Sequence, residues 1–291
     1  MKTAAVIGAG SMLGRQLIER LQEHGVETFT VGRGPGDDIR FDLLDTTVSV
    51  PAGLGADVVF HCAAGFAGDS DEGLRENFAL NATSAIAVGD LVRQLGAPVL
   101  VYAGSASSDP ALDPAHFTSY GLTKAIAEQV LQWTMAKHGG RFCSLRFTQL
   151  YDTNGRCCHH QPWFGRIIAY ASKGLDMRMP PSLGVRNLLH VRDAADLMIR
   201  STQAEISADL PITHPESLTW QQVADIAYDV FDLGGRQVEA PEKSPFRTIH
   251  FADGRPAFDL LGLAPAIGMR NGIDMIKSAG TAPAFGPMDI T

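Results

Sequence analysis

The stretch VIGAGSMLG, residues 6–14, decides the fold of this chain. The apolar run ending at Ile7 leads through glycines into SMLGRQLIERLQEHG, where Leu13, Leu17, Ile18 and Leu21 share one helical face before Gly25. A strand that turns through glycines into a helix is a cradle for phosphate. Gly8 permits the tight turn, Gly10 lets the backbone approach an anion, and Gly14 lets helix and strand pack closely. The helix N-terminus then directs its amides and its positive dipole end at that anion. The spacing is G-x-G-x-x-x-G rather than G-x-G-x-x-G, so the place of the turn carries as much as its pattern.

Working outward, the turn opens a series of alternating strands and helices. VETFTVGR, ADVVFHCAA (56–64), PVLVYAGSAS and RFCSLRFTQLY (141–151) read as strands. ENFALNATSAIAVGDLVRQLG (76–96) and SYGLTKAIAEQVLQWTMAKHG read as helices between them. In the second, Leu122, Ile126, Val130 and Trp133 form the stripe expected to be buried, with Tyr120 and Lys124 away from it. Strands apolar on both faces, alternating with helices, imply a parallel sheet covered on both sides. After about residue 150 prolines, glycines and polar residues thicken, and only LLHVRDAADLMIRSTQ and TWQQVADIAYDVFDLGG resume the rhythm.

The 291 residues, 45% of them apolar, suffice for one large domain or a domain with a smaller lobe. A net charge of −8 without any long basic run argues against nucleic acid and anionic membranes as partners. The four cysteines, two of them adjacent, do not read as a disulfide framework. No signal peptide and no apolar run near ~18 residues is visible, so a reducing cytoplasm is the expected compartment.

Two further positions suggest chemistry. Gly32 and Arg33 stand at the end of the second strand, where a fold that binds NAD often carries an acid for the ribose. A guanidinium suits a 2′-phosphate, which favours NADP over NAD. Tyr120 and Lys124 are one helical turn apart. A phenol has a pKa near 10, and a neighbouring ammonium is expected to lower it. Tyr120 then exchanges a proton with an oxygen whose carbon trades a hydride with nicotinamide, and Lys124 holds the nicotinamide ribose. Ser105, at the carboxyl end of its strand, is placed to bond the same oxygen, with Ser107 and Ser108 as alternatives.

Together these stretches resemble the extended short-chain dehydrogenase/reductase family, the NAD(P)-dependent epimerase/dehydratase group, over almost the whole chain. The resemblance implies a Rossmann fold: a doubly wound parallel sheet with a smaller, mostly C-terminal substrate-binding lobe. It implies a dinucleotide-binding domain over 1–150, with a returning strand–helix unit near 185–203, and an interleaved substrate lobe over 151–291. VIGAGSMLGRQLIERL resembles the family's opening turn, which brings Gly8, Gly10, Ser11, Met12, Leu13 and Gly14 to the cofactor; Ser11 replaces the usual middle glycine. FDLLD points to Asp42 and Leu43 at the adenine, VVFHCAA to Ala63 and Ala64, and ENFALNATSAIAVGDLV to Asn81. VYAGSAS and YGLTK resemble the catalytic segments and imply Ser105, Tyr120 and Lys124. GVRN places Arg186 where relatives that act on nucleotide-diphosphate sugars contact the diphosphate. TQLY departs from the usual proline- and asparagine-bearing segment. A dimer through two exposed helix faces follows from the same resemblance.

CCHH, residues 157–160, invites a metal site, but four consecutive ligands diverge on any regular backbone, so no metal is expected. Trp163 and Phe164 are read instead as an apolar wall of the substrate cleft, and His190 as a satisfied buried histidine. Three functions follow: an NADP-preferring oxidoreductase acting on a small or sugar-like carbonyl or alcohol, an epimerase or dehydratase that recycles its cofactor, and a non-catalytic NADP-sensing regulator.

Overall fold

The computed structural model describes residues 1–109, 111–112, 117–245 and 249–288. The chain divides into two compact units. The first comprises Met1–Phe147, Ala194–Ile212 and Ala252–Ala264; the second comprises Thr148–Asp193, Thr213–Phe251 and Pro265–Thr291.

In the first unit, strands β1 (Thr3–Ile7), β2 (Glu27–Gly32), β3 (Ile39–Arg40), β4 (Val58–His61), β5 (Val99–Ser105) and β6 (Arg141–Phe147) join strand Asp209–Ile212. They form a seven-stranded sheet in the order 209–212, β6, β5, β4, β1, β2, β3, with every neighbouring pair parallel. β1 is central because Ala4, Ala5, Val6 and Ile7 are buried on both faces. The chain leaves β1 to one side for β2 and to the other for β4. That reversal is the switch point where open α/β sheets bind ligands.

The helices are α1 (Met12–Glu23), α2 (Asp71–Asn77), α3 (Ser84–Gln94) and α4 (Ser119–Lys137). α2 and α3 run on through a π-type turn, Phe78–Thr83. This run starts five residues earlier than the sequence suggests, because the Ser70 hydroxyl caps it by accepting from the Gly73 amide. α4 corrects a second expectation. Its buried face is Gly121, Thr123, Lys124, Ala127, Glu128, Leu131 and Met135, whereas Leu122 and Trp133 are 39% and 62% exposed. The inward side uses small residues because the helix lies close to the sheet and to the turn after β5. A Cβ on Gly121 would overlap the Ser107 carbonyl oxygen. Of the larger apolar stripe, Leu122 and Trp133 face outward, while Ile126 and Val130 are half-buried, Val130 against the core.

In the second unit, Gln149–Tyr151 is a strand of its own, separated from β6, pairing in parallel with Arg186–His190; Ser217–Leu218 completes that sheet. The returning strand expected near 185–203 therefore does not join the large sheet. Asp209–Ile212 takes the edge beside β6 instead. The helix Trp220–Phe231 opens with a capping box between Thr219 and Gln222.

Candidate active site

The glycine turn is built as its spacing demands. Gly8 has a φ of +80°, and a Cβ on it would stand 2.8 Å from Ala63 at the end of β4. A Cβ on Gly14 would overlap the Gly8 carbonyl oxygen. One on Gly10 would meet nothing within 4 Å, so this side of the turn is open to a ligand. The Ser11 amide donates to Gly8 O at 2.8 Å, and the Ser11 hydroxyl accepts from the Gly14 amide at 3.0 Å. Ser11 thus caps α1, a role the usual glycine does not fill. Leu13 is buried in the core, which leaves its backbone, not its side chain, to face a cofactor.

At the end of β2, the Arg33 side chain is 80% exposed and lies 3.9 Å from Asp42. Asp42 also accepts from the Leu44 amide at 3.0 Å, and Leu43 packs partly buried against the core. The sequence reading missed Asp37. Its carboxylate accepts from the Gly34 amide at 2.7 Å and lies against Gly32, whose Cβ would come within 2.6 Å of it. A carboxylate therefore does stand at the end of β2, delivered by the following loop. No signal on the strand itself announces it.

The residues expected to react lie where β5 ends and α4 begins. Ser105 begins a tight turn, Ala106–Ser108, accepting from the Ser107 amide at 3.1 Å, and the Ser108 hydroxyl donates to Ser105 O at 2.7 Å. Ser108 is buried and engaged in this turn, which leaves Ser105 as the serine whose side chain acts to lower the Tyr120 phenol. Lys124 is 1% exposed. Its ammonium donates to Ala103 O at 2.8 Å and lies 3.9 Å over the Tyr102 ring.

The electrostatics depart from the expectation. Burial pushes Tyr120 up to about 12, and the Ser105 hydrogen bond only partly offsets this. Burial also pulls Lys124 down to about 7, while Glu128 and Cys62 act to raise it. Helical spacing brought the two groups to one face, but it did not point the ammonium at the phenol. Low dielectric dominates both groups.

Ala63 and Ala64 lie in the loop that follows β4, and the rest of that loop is held by two asparagines. Asn81 accepts from the Gly65 amide at 2.8 Å and donates to Gly65 O and Thr123 Oγ1, both at 3.1 Å. Its amide is thus engaged inside the protein, where it holds the loop after β4 against α4. Asn77 treats Ala67 in the same way, at 2.9 and 3.1 Å. Between the two clamped residues, Phe66 is 64% exposed with its ring 4.8 Å from that of Tyr120. Neither Asn77 nor Phe66 belongs to a pattern legible in one sequence.

Arg186, Trp163, Phe164 and His190 lie in the second unit. Arg186 is buried and donates to Val185 O at 3.1 Å. Trp163 is largely buried, its indole N–H donating to Gln161 Oε1 at 3.2 Å. Phe164 is fully buried against Tyr151 and Phe285, so it is core rather than an open wall. His190 is buried, 3.1 Å from Thr153 Oγ1, and burial lowers it to about 4, which keeps it neutral. Among the described residues no helix is long and apolar enough to cross a membrane.

A Rossmann sheet with a glycine cradle at its switch point defines a dinucleotide-binding protein, and comparison with known proteins agrees. The model of the NAD-dependent epimerase/dehydratase family matches residues 4–210, and the chain belongs to that family of enzymes. No curated protein matches it. The UDP-N-acetylglucosamine 4-epimerase from Bacillus cereus has the same fold at TM-score 0.78 and 20% identity, covering 100% of this chain and 99% of that one. WbmG from Bordetella bronchiseptica, solved with NAD and UDP, gives 0.74 at 18%, covering 99% of each chain. The UDP-glucose 4-epimerase from Thermus thermophilus, solved with NAD, gives 0.71 at 18%, covering 95% of this chain and 99% of that one. At these identities the likeness is one of fold.

Proposed function

We propose that the chain is an NAD(P)-dependent oxidoreductase that moves a hydride to or from a carbonyl or alcohol of a small or sugar-like substrate. The observation that carries this is the placement of Ser105, at the carboxyl end of β5, with Tyr120 and Lys124, one turn apart on α4, in the unit that holds the glycine cradle. The cradle fits a dinucleotide: Gly10 is open, Gly8 and Gly14 accept no side chain, and α1 begins there. Bound NAD(P) supplies the hydride donor or acceptor. Ser105 orients the substrate oxygen, Tyr120 gives or takes its proton, and Lys124 contributes positive charge behind them. Arg33 suits the 2′-phosphate of NADP.

Epimerase or dehydratase chemistry with a recycled cofactor is the second reading, supported by family membership and by the UDP-sugar epimerases that share the fold. UDP-glucose and UDP-N-acetylglucosamine are the first substrates to try. A stoichiometric absorbance change at 340 nm marks net redox, and turnover without one marks recycling. Replacing Tyr120 with Phe lowers turnover at least about 100-fold if the phenol transfers the proton. An unchanged rate defeats that role, and an unchanged cellular output in the absence of turnover supports a regulator. We further propose a homodimer through α3 and α4, whose outward faces carry Ile86, Leu122 and Trp133.

A further inference from the structure

Behind the reacting groups lies a set of buried charges that the proposed chemistry does not use. Glu128 follows Lys124 by one turn of α4 and is 2% exposed. Its carboxylate accepts from Ser144 Oγ at 2.6 Å, from Arg146 Nη2 at 2.8 Å and from Arg146 Nε at 3.1 Å. Ser108 Oγ lies 3.2 Å from it, its one proton shared with Ser105 O. Arg146 reaches on to Asp209 at 3.1 Å. Lys124, Glu128, Arg146 and Asp209 therefore alternate in sign from the reacting end of α4 to the edge of the sheet. Gly104 makes room for this, since a Cβ there would stand 2.7 Å from Glu128 Oε1. The flanking inward positions of α4 are Ala127 and Leu131. A hydrophobe at 128 would fill such a site without the desolvation that a buried carboxylate costs.

We propose that Glu128 is a positioning residue for the reacting groups, acting through Lys124 on its own helix and through Ser108 on the turn that carries Ser105. It rests on the reading of Ser105, Tyr120 and Lys124 as those groups. Lys124 is faced by His61 and Cys62 from the end of β4, by Tyr102 from β5, and by Glu128 from α4, with Arg146 and Asp209 beyond. Burial keeps His61 and the Cys62 thiol neutral, at about 3 and about 12. Glu128 is thus the carboxylate that opposes the loss of the lysine's charge, and its Ser108 contact ties that charge to the Ser105 backbone.

The test needs no substrate. In full-length protein carrying [13Cε]lysine, the Lys124 resonance, assigned by its loss in Lys124→Met, is followed from pH 5 to 10. Glu128→Gln is expected to lower its midpoint by about one pH unit. Glu128→Asp keeps the charge and is expected to restore most of the shift. An unmoved midpoint in Glu128→Gln overturns the link to Lys124. Should that variant fail to fold, Glu128→Asp decides the link by itself: a smaller downward shift is expected and no shift refutes it. Ser108→Ala is expected to speed hydrogen exchange of the Ser107 and Asp109 amides at least about threefold with the Lys124 midpoint unchanged. Unchanged exchange overturns the link to the turn. Since neither readout uses turnover, inactivity toward every sugar nucleotide would defeat the functional reading and leave this result standing.

Discussion

Arg33 and Asp37 compete at the end of β2. Asp37 is pinned to the Gly34 amide, and Arg33 is exposed with a long contact to Asp42. An exposed pair of that length holds the guanidinium weakly, so it is available to a 2′-phosphate. Arg33→Ala should raise the Kd for NADP about tenfold, about 1.4 kcal/mol, and leave NAD within about twofold. Titration of both cofactors by protein fluorescence checks this, and equal losses would refute the 2′-phosphate role. His61 sets a pH dependence of stability. Burial lowers it to about 3, and its Nδ1 has no partner among the described residues. Its folded pKa lies below the unfolded value, so the unfolded chain takes the proton first. The neutral ring's contribution is complete above about pH 6.5 and is lost as pH falls toward 3. Near pH 5 that loss is about 2 kcal/mol. In urea titrations at pH 7 and 5, His61→Leu should lose less stability than the parent, and an equal loss contradicts the assignment.

The connection from β1 into α1 depends on a close approach that only glycine permits. Gly14→Ala drives its methyl into the Gly8 carbonyl oxygen, so a cost of about 2 kcal/mol is expected, together with weakened cofactor binding. Ser11→Ala should cost about 1 kcal/mol through the lost cap, and Ser11→Gly a few tenths. Thermal unfolding of the three variants ranks them, and a Gly14→Ala protein as stable as the parent would show that strand and helix can separate freely. α4 teaches a different lesson. Its 3.6-residue period was legible, yet of the stripe of Leu122, Ile126, Val130 and Trp133 the two ends face outward, and the fully buried face is a different one. Periodicity locates an apolar stripe; it does not say whether that stripe meets the core or another surface. Small residues at 121, 123 and 127 are the better guide where a helix must lie close to its neighbours.

α3 and α4 pack side by side and leave Ile86, Leu122 and Trp133 outward, with Phe78 exposed at the start of the run. Scattered exposed apolar residues are ordinary, but several along adjacent helices mark a surface for association. Sedimentation velocity at micromolar concentration should give a dimer for the parent and a monomer for Ile86→Glu with Trp133→Glu. A monomeric parent would remove the dimer. The parallel sheet, the glycine cradle and the locations of Ser105, Tyr120 and Lys124 were legible in the chain, because strand–helix alternation, turn stereochemistry and helical spacing are local properties. Asp37 at the end of β2, the asparagine clamps around Phe66 and the edge strand Asp209–Ile212 were not, because each depends on partners distant in the chain or on a loop without a repeating pattern. The protonation of Tyr120 and Lys124 belongs with these. It is set by how much water the folded chain removes from around them and by which dipoles and charges replace it, and no spacing along the sequence encodes that.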